Sequence, residues 1–145
     1  MKFRLLSMLA ISLLLVLAPA WAGKGGPIAE GFWVGAGQAI YPDGTTAEIT
    51  RIEAMLFQDG NFIYGGAEFD VIVDDLPMVT QGGQLSAHMF GNKISGVLGF
   101  CFEPAPACVG AGVFEGKLSG NRMTGTMRDL SDGSTAVIVL HRAPH

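Results

Sequence analysis

The amino-acid sequence predicts an all-β fold, an eight-stranded antiparallel up-and-down barrel with essentially no helix after its N-terminal segment. Two observations predict it. Strand-like runs follow one another at regular intervals, each closed by Gly, Asp, Asn or Pro. No ten-residue stretch shows a capped helical apolar period. A meander of about eight short-connected strands hides its edges by closing on itself.

The first 22 residues read as a secretory signal. Lys2 and Arg4 supply its positive end, Leu5 to Ala18 its apolar core, and Ala20-Trp21-Ala22 a small-residue cleavage site. The apolar stretch is too short to span a bilayer comfortably. Residues 23–30 read as a flexible Gly/Pro-containing leader, and 31–145 as one barrel domain. Export to the periplasm or the extracellular space is therefore expected. Cleavage removes two positive charges, taking the net charge from −4 to about −6. An acidic surface favours neither nucleic acid nor anionic membrane as partner.

The first run spans about Phe32–Ile40, before Pro42-Asp43-Gly44. The second, about Thr45–Phe57, changes its apolar parity between Ile49 and Ile52, which predicts a bulge. The third covers Asn61–Val73, where Gly65-Gly66 predicts a bulge or sharp bend. Asp74-Asp75-Leu76-Pro77 leads to the fourth, Met78–Phe90. Gly91-Asn92 turns into the fifth, Lys93–Phe102, with Ile94, Gly96, Leu98 and Phe100 on one face. The sixth, Cys108–Leu118, is joined through Gly120-Asn121, suited to a two-residue turn, to the seventh, Arg122–Leu130. The eighth, Ser134–Arg142, places Ala136, Ile138 and Leu140 on one face.

Cys101 and Cys108, separated by a segment containing Pro104 and Pro106, predict a disulfide at the neck of a hairpin loop. A barrel of this size holds side chains or one small ligand. Gly96, Gly116 and Gly125 fall at inward positions, where glycine either relieves strand coiling or leaves a cavity.

The two ends of the meander carry a resemblance. Gly31-Phe32-Trp33 opens the first strand and Arg142 closes the last. In this it resembles the calycin barrels, lipocalins and avidins, which open with Gly-x-Trp and end with an Arg packed over that Trp. The resemblance implies that Trp33 plugs the closed end with Arg142 as a cation–π lid. It departs from lipocalins in lacking a helix before the last strand. Trp33 is the one tryptophan after the signal, so a biotin site is not implied.

No catalytic site is legible. Ser86 and His88 share a strand face roughly 7 Å apart with no orienting acid. The histidines show no metal-ligand spacing, and no Gly-rich loop precedes a helix, so neither a metal nor a cofactor is expected. The reading is a non-enzymatic, non-membrane-spanning barrel binding a small apolar ligand, with Trp33, Tyr64, Met89, Phe100 and Met127 as candidate contacts. The alternative is a protein-binding module, such as a protease or lysozyme inhibitor, presenting the loop with Pro104 and Pro106.

Overall fold

A computed structural model describes residues 26–73, 79–101 and 108–144. The expected signal, the Asp74–Met78 connection and the loop carrying Pro104 and Pro106 lie outside the described residues. Eight strands form one sheet: β1 (Gly31–Ile40), β2 (Thr46–Asp59), β3 (Phe62–Val73), β4 (Val79–Phe90), β5 (Lys93–Cys101), β6 (Cys108–Ser119), β7 (Arg122–Asp129) and β8 (Thr135–Arg142). Each pairs antiparallel with the next, and β8 pairs with β1 to close the barrel. No helix occurs among the described residues.

Alternation sorts the side chains. Trp33, Ile52, Leu56, Ile63, Met89, Ile94, Leu98, Phe114, Leu118, Met123, Ile138 and Leu140 are buried inside. Glu48, Ser95, Glu115 and Lys117 are among the outward residues. The register shifts between Ile49 and Arg51, at the bulge that the parity change predicts. This lets both Ile49 and Ile52 face inward. The expected bulge at Gly65-Gly66 is absent: Leu56↔Gly65 and Met55↔Gly66 continue the ladder unbroken. Close approach is what Gly65 permits, since a Cβ there would lie 2.0 Å from the Met55 carbonyl oxygen.

Inward glycines have a packing role that neither expected use describes. A Cβ at Gly125 would lie 2.5 Å from the Phe114 ring, and one at Gly116 2.9 Å from it. The two glycines make the seat for that ring. A Cβ at Gly96 would instead meet the neighbouring strand, 2.3 Å from the Ser86 carbonyl oxygen and 2.4 Å from the Ala87 Cα and Cβ.

At one end, the hairpins Asp59↔Phe62, Phe90↔Lys93 and Ser119↔Arg122 all turn on Gly-Asn. Their glycines, Gly60, Gly91 and Gly120, have φ of 58°, 62° and 59°, which suits them to tight hairpin turns. Each asparagine carbonyl then accepts from the strand after the hairpin: Asn61 from Met89, Asn92 from Leu118 and Asn121 from Arg142. This belt, with Trp33 inside it, closes that end.

Candidate functional site

The closed end is built by Gly31, Trp33 and Arg142. The Trp33 indole is fully buried, and its Nε1 donates to the Ala29 carbonyl at 2.9 Å. The Arg142 guanidinium carbon lies 4.4 Å from the indole centroid. Its Nη2 donates to the Ile28 carbonyl at 2.5 Å, its Nη1 to the Glu30 carbonyl, and its Nε to Asn121 Oδ1 at 3.2 Å. Gly31 has φ of 134°, and a Cβ on it would sit 2.7 Å from Arg142 Nη1. Only glycine fits both demands. Residues 28–30, the end of the expected leader, are thereby tied to the barrel, with Ala29 N also donating to Gln58 Oε1 at 2.7 Å.

Among the described residues the other end is open. A cup of about 210 Å³ opens there. Ile49, Phe69, Val71, Phe100 and Met127 form much of its apolar wall, and Tyr41, Gln81, Asp129 and Asp132 are among its polar members. A second cavity of about 60 Å³ lies deeper, walled by apolar residues alone, Leu85, Leu98, Phe114 and Met123 among them. Phe69, Phe100 and Met127 line both spaces and form the partition between them. A groove of about 540 Å³ on the outer wall, over β5 to β8, is larger but open to solvent, with a mixed lining that includes Lys93, Glu115 and Lys117.

The five candidate contacts separate. Phe100 and Met127 line both cavities. Trp33 and Met89 are buried core side chains that line neither. Tyr64 is a correction: it is on the outer wall, 44% exposed, because Ile63 takes the inward position beside it. There it joins an exposed aromatic stripe, stacking on Phe57 at 5.5 Å and Phe62 at 5.6 Å, while His88 links Phe62 to Phe90. The sequence reading missed Phe69, Gln81, Asp129 and Asp132. Phe69 was findable, since it lies an even number of positions from Ile63 and shares its face.

Cys101 and Cys108 are register partners across β5 and β6. On the outer side of β2 and β3, Arg51 Nε donates to Asp70 Oδ2 at 2.7 Å and Thr80 Oγ1 donates to Asp70 Oδ1 at 2.8 Å. These bonds, Arg51 first, hold the Asp70 carboxyl below its ordinary value.

No family model and no curated protein sequence matches the chain. Two solved structures are similar to it. The isotype 1 transferrin binding protein B of serogroup B Neisseria meningitidis has a TM-score of 0.51 at 15% identity, covering 86% of this chain and 27% of that one. Rv2717c of M. tuberculosis has a TM-score of 0.44 at 17% identity, covering 79% of this chain and 92% of that one. The chain thus spans about a quarter of the meningococcal protein, and the likeness is one of barrel fold.

Proposed function

We propose that this protein is an exported, non-enzymatic carrier of the calycin type that admits a small apolar ligand through the open end of its barrel. One observation carries the reading: the open cup and the deeper apolar cavity adjoin across Phe69, Phe100 and Met127. A thioether and two aromatic side chains are a partition that can repack around a guest. The apolar interior and charged outer wall, with Glu48 and Glu115 on outward positions, support work in water, since membrane barrels place these faces the other way round. Export supports a disulfide between the paired Cys101 and Cys108. That a similar barrel occurs within a protein described as transferrin-binding supports a binding use of the fold.

Trp33 is remote from the cup, so its fluorescence is a poor reporter; the Met127 methyl group is a direct one. Titrating the protein with 1-hexanol should shift the Met127 methyl resonance saturably and leave that of Met89 unmoved. Equal, unsaturable shifts of both would overturn the carrier reading. The second reading, a protein-binding module, is favoured by the stripe of Phe57, Phe62, Tyr64 and Phe90, exposed by 37–69%, because aromatic side chains dominate protein interfaces.

A further inference from the structure

We propose that the ligand of the open cup is a cationic amphiphile, a protonated amine on a short apolar body; this rests on the carrier reading and names its ligand class. The cup is two-faced. Phe69, Phe100, Met127 and Ile49 offer an apolar seat, and Asp129 and Asp132 approach from the β7–β8 turn. No Lys, Arg or His lines it among the described residues. Arg128, next to Asp129 in the chain, is on the exposed, outward-facing set of β7. The β1–β2 turn at the same end adds Asp43, and neither that turn nor the β7–β8 turn contains a basic residue.

Both aspartates are held in place by their own turn. Asp129 Oδ1 accepts from the Ser131 amide at 2.7 Å and its hydroxyl at 2.6 Å. Asp132 Oδ1 accepts likewise from Ser134, at 2.7 and 2.5 Å. The Oδ2 atom of each makes no hydrogen bond among the described residues. Two carboxylates are thus preorganised with one acceptor oxygen each for an incoming donor. The Ser134 bonds also hold Asp132 below its ordinary value, so it stays ionised at neutral pH. A carboxylate-headed ligand would meet like charge, with no basic side chain among the described residues lining the cup to neutralise it. An alcohol gains hydrogen bonds alone. An ammonium head gains hydrogen bonds and charge, in a concave site where the field of both acids adds.

The test compares hexylammonium, 1-hexanol and hexanoate at pH 7, followed by the Met127 methyl resonance of the signal-free protein. Hexylammonium should bind about 3- to 5-fold more tightly than hexanol, the range of a partly exposed ion pair. Hexanoate should bind more weakly than hexanol. Raising salt on the unmodified protein should shrink the ammonium preference and leave hexanol unaffected. The paired substitution Asp129→Asn and Asp132→Asn retains both Oδ1 acceptors and should abolish the preference while hexanol binds as before. If hexanol binds and hexylammonium gains nothing over it, or hexanoate binds best, the cationic inference is overturned and the carrier reading stands. If none of the three moves Met127, the carrier reading fails, and the inference with it.

Discussion

Arg142 uses both the face and the edge of its guanidinium at once. The face covers Trp33, and the edge satisfies the Ile28 and Glu30 carbonyls, which no strand pairs, together with Asn121 Oδ1. Arg142→Ala should therefore cost about 2 kcal/mol, combining a cation–π contact with charge-assisted hydrogen bonds discounted for partial exposure. Arg142→Lys keeps the charge but not the planar fork and should recover less than half. Urea unfolding measures both, and a loss below a few tenths of a kcal/mol in the Ala variant would count against this account. Amide exchange at Ala29 should quicken in the same variant. This pair was legible in the sequence through the resemblance to calycin barrels that Gly31, Trp33 and Arg142 carry, and closure of the sheet brings the two ends of the meander together as that resemblance implies. Tyr64 was not, because Phe62 and Tyr64 on one parity compete with Ile63 and Phe69 on the other. Alternation separates two faces without saying which is inside.

Among the elements, β6 and β7 show how packing decides a glycine. Phe114 occupies the space that side chains at Gly116 and Gly125 would fill. Gly125→Ala forces the ring to move and should destabilise by about 1–3 kcal/mol. Phe114→Leu alone removes buried ring and should also destabilise. Combined, the two should cost less than the sum of the separate losses, because the smaller side chain vacates the seat. Gly96→Ala is the control, since its Cβ meets backbone at Ser86 and Phe114→Leu should not relieve it. Strictly additive energies for Gly125 and Phe114 in a double-mutant cycle would show that the glycine serves strand curvature instead. The strands themselves were readable from turn chemistry and alternation, as was the β2 bulge from its parity change. The partners of the inward glycines were not, because they come from register and rotamer, which only the closed sheet fixes. The same holds for the cup as an assembly, since Phe69 of β3 meets the Asp129 and Asp132 pair of the β7–β8 turn only once the sheet has closed.

At the scale of the whole molecule the barrel has two unlike ends. The closed end is tied by the Gly-Asn belt and the neutral plug of Trp33, with the cationic Arg142 over it. Toward the open end lie Asp43, Asp70 and Asp132, each held below its ordinary carboxyl value: Asp43 by Thr45, Asp70 by Arg51 and Thr80, Asp132 by Ser134. A carboxyl whose folded value is lowered contributes stability that is fully present above its unfolded value, near 3.8, and is lost as pH falls through the folded one. The melting temperature should therefore be flat between about pH 7 and 5 and fall below about pH 4. Because the three sites lie toward one end, acid should loosen that end first. Amide exchange at Thr80 and Ser134 should quicken at a higher pH than exchange at Trp33. Asp70→Asn should lower the melting temperature at pH 7 and flatten its fall in acid, since the ion pair with Arg51 is gone at every pH. An equally steep acid decline in that variant would place the acid sensitivity elsewhere. Among the described residues the two ends are thus held differently, the plugged end by a belt of backbone hydrogen bonds around Trp33 and the other by aspartates bonded within their own turns or across β2 and β3, so acid acts on the second and spares the first.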